Sequence, residues 1–225
     1  MTARLALETH CHTYWSTDCL MLPAQQIAAA RAAGLDRLAI TDHNLIGGAV
    51  ELARLAPDLI LIGEEIKTSQ GELLAYYVKE LVPPGLTPER TIEILRQQGA
   101  VISVAHPFDA FRAGHWEELE LRAILPLVDA IEVFNARVAA PAQNSRAAAL
   151  AAATGIPGTA GSDAHAYGEV GQTTMRLPAF QDAEGLRAAL RSGEVVGRRS
   201  PYWVHLYSRY AAWRKKAGWR MPPGA

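Results

Sequence analysis

Short apolar segments alternate with helix-forming segments along most of this 225-residue chain. The apolar runs predict strands over residues 5–12, 35–41, 59–66, 73–78, 100–105, 130–134 and 156–161. Alanine-rich or proline-initiated segments predict helices over residues 23–33, 47–55 and 142–154, and a further helix that has Pro88 in its first turn and stops near Gly99. Strands separated by helices favour a mainly parallel sheet covered on both faces, and either a barrel or a doubly wound sheet satisfies the pattern.

The composition is typical of an ordinary globular protein, with 49% hydrophobic residues, 20% charged residues and a formal net charge of -1. One domain spanning residues 1–225 is expected. No apolar run reaches the roughly 20 residues that a membrane helix needs, and the first residues do not resemble a secretion signal. Cys11 and Cys19 lie close together with no other thiol, which argues against a disulfide scaffold. We therefore expect a cytoplasmic protein with reduced thiols and no membrane partner.

Five of the seven histidines lie in short polar groups that directly follow apolar runs. They are His10, His12, His43, His106 and His165. Residues i and i+2 of a strand project from the same face, so His10 and His12 can point two imidazoles at one ion. The same spacing lets Asp163 and His165 converge. In parallel α/β folds, functional groups collect at the carboxyl ends of strands, which is where these histidines are expected.

Carboxylates accompany these histidines. Glu65 lies inside an apolar run, and a buried carboxylate is costly without a cation or partner. A single histidine at a strand end is more often a satisfied polar residue than a metal ligand. Five of them together with Asp42, Glu65 and Asp163 instead favour a metal centre. Nitrogen and carboxylate ligands suit zinc, manganese or iron better than calcium or magnesium.

Several motifs resemble the PHP family, the polymerase and histidinol phosphatase superfamily of metal-dependent phosphoesterases. They are His10-Cys11-His12-Thr13 with Ser16 and Asp18, Thr41-Asp42-His43-Asn44, Gly63-Glu64-Glu65, His106-Pro107, Glu132-Val133-Phe134-Asn135 and Gly161-Ser162-Asp163-Ala164-His165. The resemblance implies an α/β fold, a distorted (β/α)7 TIM-like barrel of mainly parallel strands with outer helices.

The resemblance also implies two or three divalent metal ions. The implied ligands are His10, His12, Glu65 and Asp163 for one ion, Glu65 and His106 for a second, and His43, His165 and Asp18 for a third. Glu65, rather than Glu64, takes the last place in the family's glycine, any residue, glutamate pattern. Two departures stand out: Ser16-Thr17-Asp18-Cys19 replaces the family's Ser-Asp-Gly, and Glu72 follows Gly71 where some relatives have a histidine.

The function that these features favour is hydrolysis of a phosphate ester by a metal-bound hydroxide, because metal ions make water a usable nucleophile near neutral pH. The expected substrate is a small phosphomonoester or a nucleotide. Arg112 and Arg137 follow ligand-bearing strands and are candidates for binding the phosphate, although each could instead pair with a carboxylate. Asn135 is a further candidate for contacting a phosphate or a metal-bound water. Asp42 is expected to orient a ligand or to contact a metal.

Residues 198–225 form a basic, aromatic C-terminal segment that we expect to pack on the barrel as an amphipathic helix over residues 204–216, with its aromatic side against the barrel. Its aromatic and basic residues also leave open a 5'-3' exonuclease or nucleotidase that trims short nucleic acid. An amidohydrolase-type hydrolase is a further alternative, since Lys67 lies two residues beyond Glu65. The remaining alternative is a metal-binding module without catalytic activity.

Overall fold

The computed structural model describes residues 4–112 and 114–222, so residues 223–225 of the predicted C-terminal segment lie outside the described residues. Within these ranges nine strands form a single sheet. They are β1 (Arg4–Glu8), β2 (Arg37–Ile40), β3 (Ile60–Lys67), β4 (Glu72–Tyr76), β5 (Val101–Val104), β6 (Ala130–Asn135), β7 (Gly158–Gly161), β8 (Thr173–Pro178) and β9 (Glu194–Gly197). The spatial order is β7-β6-β5-β4-β3-β2-β1-β8-β9.

Seven α-helices accompany the strands in the part of the chain that the structure describes. They are α1 (Pro23–Ala32), α2 (Gly47–Leu55), α3 (Pro88–Gln98), α4 (Glu118–Ile124), α5 (Pro141–Thr154), α6 (Ala183–Leu190) and α7 (His205–Lys216). The ends of α3 follow from its sequence. Thr87 accepts a hydrogen bond from the Arg90 amide and Pro88 opens the first turn, while Gly99 ends the helix in the left-handed conformation. None of the described helices is long and apolar enough to span a bilayer.

The sheet closes into a barrel at the carboxyl ends of its parallel strands. Just beyond β1 and β7, the Asp163 amide donates to the His10 carbonyl and the His12 amide donates to the Ala164 carbonyl. Gly161 permits this approach, because a Cβ atom at that position would lie 2.3 Å from the His10 Cβ. The predicted α/β barrel is therefore confirmed, with β1 and β7 joined at one end and β8 lying between them at the other.

The strand directions are more mixed than the sequence predicts. Among the described residues, four strand pairings are parallel and four are antiparallel. A hairpin explains one of the antiparallel pairs: residues 68–71 join β3 to β4, and the Thr68 side chain donates to the Gly71 carbonyl at 2.6 Å. A parallel crossover needs a dozen or more residues, so a connection this short forces the antiparallel arrangement. Strands β8 and β9 were not predicted from the sequence.

The C-terminal helix α7 lies within one residue of its predicted bounds, but its exposed face differs from the expectation. Val204 and Ala211 are buried, whereas Trp203, Tyr207 and Trp213 are 54%, 45% and 62% exposed. Lys215 instead reaches inward and donates to the carbonyls of Tyr14 and Ser16. The face of α7 that contacts the barrel therefore carries small and cationic residues, because the barrel offers backbone carbonyls that accept hydrogen bonds from Lys215. The aromatic rings of α7 remain at the surface.

Candidate metal centre

The predicted ligands meet at the rim formed by the carboxyl ends of the strands. Backbone hydrogen bonds extend the barrel beyond the strands that carry them: the Thr41 amide donates to the Cys11 carbonyl, and the Glu65 amide donates to the Asp42 carbonyl. These bonds hold the polar segments after β1 and β2 beside the end of β3. The eight predicted ligands therefore line one region, and six of them are buried. Asp18 and His43 are partly exposed.

The first group contains His10, His12 and Asp163, all three fully buried. His12 Nε2 lies 3.1 Å and His10 Nε2 lies 3.7 Å from Asp163 Oδ1. Glu65 Oε2 lies 3.3 Å from His10 Nε2 and 3.4 Å from His12 Nε2. The two imidazoles and two carboxylates that the resemblance assigns to one ion thus face a common point.

The second group contains Glu65, Glu72 and His106, whose ligand atoms lie within 4.8 Å of one another. His106 Nε2 lies 2.9 Å from Glu65 Oε1 and 3.6 Å from Glu72 Oε2. Since Glu65 directs its other oxygen at the first group, its carboxylate lies between the two groups. Glu72, at the position where some relatives have a histidine, is brought into the site.

The third group contains His12, His43 and His165, with Asp18 beside them. His165 Nε2 lies 3.1 Å and His43 Nε2 lies 3.7 Å from Asp18 oxygens. His43 Nδ1 lies 2.8 Å from Glu65 Oε2, which connects this group with the first. Asp18 reaches the site in spite of the inserted residue in its motif.

The donor set fits divalent cations. Bonds of about 2.1 Å to one ion hold neighbouring ligand atoms roughly 3 to 4 Å apart, and most of the separations above fall in that range. Four buried atoms of the proposed ligands have no hydrogen-bond partner within the described ranges: His10 Nε2, Asp18 Oδ1, Glu65 Oε2 and His106 Nδ1. Buried polar atoms normally have partners, so His10 Nε2 and Glu65 Oε2, which face each other, are suited to binding an ion.

The charges in the site keep Glu65 and Asp163 ionised. Burial would raise the pKa of Glu65 and Asp163, but His43 and His10 beside Glu65, and Arg112 beside Asp163, hold both pKa values well below the ordinary range. Burial and the neighbouring histidines His165 and His43 lower the pKa of His12 to about 3. Burial alone would lower the pKa of His43 and His10, but Glu65 beside both rings raises the pKa of His43 to about 10 and that of His10 well above its ordinary range. Metal binding requires ionised carboxylates and neutral imidazoles, so an ion bound here would displace protons from His10 and His43.

Two of the predicted ligands have unusual backbone conformations. His106 has a φ of 23° and Asp163 has a φ of 55°, in the region that residues other than glycine adopt only rarely. Such conformations cost free energy and cluster at functional sites, where the surrounding structure maintains them. Here the Asp163 amide is held by the His10 carbonyl at 2.9 Å, and the His106 amide by Glu132 Oε2 at 2.7 Å.

Glu132 is a site residue to which the sequence assigned no role. Its Oε1 lies 2.9 Å from His10 Nδ1, while its Oε2 also accepts a hydrogen bond from Asn135 Nδ2 at 3.2 Å. Asn135 donates in addition to Asp163 Oδ2 at 3.2 Å. The buried Asn135 amide, which was expected to contact a phosphate, therefore lies behind Asp163 and positions it. The sequence did contain a signal that Glu132 has a role in a site, because this carboxylate interrupts an apolar strand as Glu65 does.

Asp42 lies behind the ligands. Its Oδ1 accepts hydrogen bonds from the Thr13 amide at 2.7 Å and from Ser16 Oγ at 2.5 Å, and its Oδ2 accepts one from Thr13 Oγ1 at 2.6 Å. Ser16 Oγ in turn lies 3.2 Å from His12 Nδ1. Of the two roles expected for Asp42, this geometry favours orienting a ligand, through Ser16 and His12.

A cleft of about 500 Å³ opens beside the three groups. Its lining includes Asp18, His43, Asp163 and His165, the two candidate arginines, and the aromatic residues Phe111 and Tyr202. Arg112 contacts Asp163, donates from Nε to Asp109 at 3.1 Å, and keeps 21% of its side chain exposed. Arg137 is almost fully buried and donates to Glu169 at 3.1 Å and to Ser208 Oγ at 2.9 Å. Both arginines have carboxylate partners, but Arg112 remains partly exposed at the cleft, whereas the Arg137 side chain is only 2% exposed.

Comparisons with known proteins give the family. The family model described as PHP-associated matches residues 141–195, which include Asp163 and His165. Two uncharacterized proteins of Methanocaldococcus jannaschii are also similar. MJ1587 is 33% identical over 142 residues, covering 57% of this chain and 81% of the relative. MJ0417 is 34% identical over 142 residues, covering 62% of this chain but only 56% of the relative. The chain belongs to the PHP superfamily.

Solved structures share the fold of this PHP protein at about 20% sequence identity or slightly less. PsfC from Pseudomonas syringae has a TM-score of 0.70 and 20% identity, covering 95% of this chain and 99% of its own. A proposed metal-dependent phosphoesterase from Bifidobacterium adolescentis has a TM-score of 0.61 and 20% identity, covering 82% and 95%. An amidohydrolase from Chromobacterium violaceum, solved with sulfate and no metal, has a TM-score of 0.58 and 19% identity, covering 73% and 89%.

Proposed function

We propose that this PHP protein is a metal-dependent phosphoesterase that hydrolyses a small phosphomonoester or a nucleotide. One observation carries the proposal: histidines and carboxylates from five strand ends converge on shared points beside a cleft that also contains Arg112. The convergence provides ligands for more than one cation, and the arginine provides a donor for an anionic substrate.

The proposed ligands are those that the three groups bring together. They are His10, His12, Glu65 and Asp163 for one ion, Glu65 and His106 for a second, and His43, His165 and Asp18 for a third. The mixed nitrogen and oxygen donors suit zinc, manganese or iron. When bound, such ions lower the pKa of an attacking water and neutralise charge on the phosphoryl oxygens.

The chain itself contributes positioning and charge. Glu132 and Ser16 contact the Nδ1 atoms of His10 and His12, so that each Nε2 faces the site. Arg112 lies at the cleft, and its Nη1 group has no hydrogen-bond partner in the described part of the chain. An arginine with free donors binds a phosphate oxygen strongly, because the hydrogen bond joins two charged groups.

The size and lining of the cleft favour a substrate larger than phosphate alone. Its volume of about 500 Å³ holds a phosphate ester with an organic group of nucleotide size. Phe111 and Tyr202 line the cleft and are 80% and 77% exposed. Exposed aromatic rings beside an anion-binding region provide stacking surfaces for a flat organic group such as a nucleobase.

The surface of the C-terminal segment over residues 198–222 favours a second candidate, the trimming of short nucleic acid. Trp203, Tyr207, Tyr210 and Trp213 are each about half exposed, and Arg209 and Lys216 lie exposed among them. Aromatic and basic residues together stack on bases and neutralise phosphates. This segment adjoins the cleft through Tyr202, His205 and Ser208.

The amidohydrolase alternative depends on Lys67, and the structure gives this residue a different location. Lys67 is exposed at the end of β3, and its amide donates to Asn44 Oδ1 at 2.8 Å. An exposed lysine is a poor candidate for the buried lysine bridge typical of that class.

Two hydrolysis assays test the proposal. Metal-loaded protein is incubated with mononucleotides, sugar phosphates and histidinol phosphate, and separately with a short oligonucleotide. Release of inorganic phosphate from the first panel supports the phosphatase, while release of mononucleotides from the oligomer supports the second candidate. Glu65→Gln should abolish either activity, and Glu64→Gln provides a matched control, since Glu64 lies on the opposite face of β3. Metal-loaded protein that is inactive on both panels would contradict the proposal.

A further inference from the structure

The buried carboxylate of Glu72 lies in the metal centre although no ligand role has been assigned to it so far. Glu72 is the first residue of β4 and pairs with Lys67 of β3. Its side chain is 12% exposed, and its Oε2 lies 3.6 Å from His106 Nε2. The ligand atoms of Glu72, Glu65 and His106 are mutually within 4.8 Å.

The surroundings of Glu72 fix its direction. Trp116 Nε1 donates to the Glu72 carbonyl at 3.2 Å and holds the start of β4. Glycine at position 114 leaves room for the side chain, because a Cβ atom there would lie 2.5 Å from Glu72 Cδ. Gly71 likewise makes room for the Trp116 ring, which would meet a Cβ atom at 2.2 Å. The local sequence therefore orients the carboxylate toward His106.

The two carboxylates of Glu65 and Glu72 beside His106 favour binding of a cation. Within the described ranges the carboxylate of Glu72 makes no hydrogen bond, and it shares the nearby His106 Nε2 with the carboxylate of Glu65. A buried carboxylate that lacks a hydrogen-bond donor or a cation is costly. Its nearest polar partner, His106, is itself a proposed ligand. A divalent ion between Glu65, Glu72 and His106 would satisfy all three side chains.

We propose that Glu72 is a ligand of the second ion and that it determines which metal this position prefers. The inference rests on the proposed metal centre and extends it. With Glu72, the second position offers one imidazole and two carboxylates; with a histidine there, it would offer two imidazoles and one carboxylate. Carboxylate-rich sites favour manganese relative to zinc, whereas additional imidazole favours zinc. The chain should therefore prefer Mn²⁺ at this position more strongly than a histidine-containing variant does.

Metal titration of the full-length protein tests this assignment. Chelator-treated wild type, Glu72→Gln, Glu72→His and the control Glu64→Gln are dialysed against Mn²⁺ or Zn²⁺, and bound metal is measured by elemental analysis. Glu72→Gln should weaken Mn²⁺ binding at one position by about 10-fold or more while the other positions are unchanged. Glu72→His should keep the wild-type stoichiometry and shift the ratio of Zn²⁺ to Mn²⁺ affinity toward zinc by about 10-fold. Glu64→Gln should match wild type.

Wild-type stoichiometry and affinities in Glu72→Gln, or an unchanged metal preference in Glu72→His, would overturn the assignment. Circular dichroism of each metal-free variant checks folding. If Glu72→Gln fails to fold, the ratio of Zn²⁺ to Mn²⁺ affinity in Glu72→His tests the assignment instead. The phosphate-release panel is run in parallel on wild type. Loss of metal binding in Glu72→Gln combined with no phosphate release from wild type would support the ligand role and refute the proposed function, so the two failures are distinguishable.

Discussion

Glu132 Oε1 lies 2.9 Å from His10 Nδ1, and both side chains are fully removed from solvent. This contact fixes the ring so that Nε2 of His10 faces Glu65 and Asp163. A carboxylate that binds the far nitrogen of a ligand histidine also raises the basicity of the imidazole, which strengthens its bond to a metal.

Replacement of Glu132 should therefore weaken metal binding without removing a ligand. We expect Glu132→Ala to lower the affinity of the first position about 10- to 100-fold, as is usual for such partners of ligand histidines. Glu132→Gln keeps an acceptor for His10 and should lose less. Equilibrium dialysis measures the affinity for Zn²⁺, which should decrease from wild type to Glu132→Gln and again to Glu132→Ala. Equal affinities for all three proteins would show that Glu132 only fills space.

The difference between Glu132 and the ligands shows what the sequence can predict about such a site. His10, His12, His106 and Asp163 stand directly after apolar runs, so their position alone places them at one rim. Glu132 lies within β6, and its role depends on β6 and β1 facing each other across the barrel. A contact between residues that are 122 positions apart in the chain is set by the tertiary fold, so it could not be derived from local spacing.

Arg137 gives a second case in which the sequence pattern was incomplete. Its position after β6 predicted a phosphate-binding residue, but Glu169 and Ser208 occupy its guanidinium. Glu169 Oε2 also accepts a hydrogen bond from the His165 amide at 3.2 Å. The Arg137–Glu169 pair therefore links the C-terminal segment to the proposed ligand His165. Glu169 lies in the 3-10 turn that precedes β8, so this link exists only in the folded chain.

Breaking this pair should cost stability more than substrate affinity. Arg137→Met leaves Glu169 buried without its cation and should lower the free energy of unfolding by about 3 to 5 kcal/mol. Adding Glu169→Gln to Arg137→Met removes the unpaired charge and should recover a large part of that loss. Urea unfolding of the wild type and both variants measures the effect. A stable Arg137→Met protein with a strongly raised KM would return Arg137 to the phosphate-binding role.

Replacing Arg112 should cost substrate affinity more than stability, the opposite of the effect expected at Arg137. Its side chain lies partly exposed at the cleft, so its replacement removes a donor to the substrate and little of the core. Arg112→Ala should raise the KM for a phosphomonoester about 10- to 100-fold, the effect of losing one hydrogen bond between charged groups. Inhibition by inorganic phosphate should weaken in parallel. Because Arg112 also contacts Asp163, metal content is measured alongside, and a loss of metal with unchanged KM would contradict a role in substrate binding.

Glu64 allows a pH-dependent prediction outside the ligand groups. Its carboxylate lies across β3 from the site, where Oε2 accepts a hydrogen bond from the Val82 amide at 3.1 Å. Burial raises the pKa of Glu64 from 4.5 to about 7. The folded protein therefore holds a proton that the unfolded chain releases above pH 4.5, so the free energy of unfolding falls as the pH rises toward about 7.

Glu64→Gln removes this proton linkage and keeps an acceptor for Val82. The variant should gain stability relative to wild type as the pH rises, by up to about 3 kcal/mol between pH 5 and pH 8. For a protein of this size, such a gain corresponds to a difference of several degrees in Tm. Thermal unfolding of metal-free wild type and variant, followed by circular dichroism at both pH values, measures it. The histidines of the site titrate in both proteins, so their contribution cancels in the difference. A Tm difference that is the same at pH 5 and pH 8 would mean that Glu64 is ionised throughout this range in the folded protein.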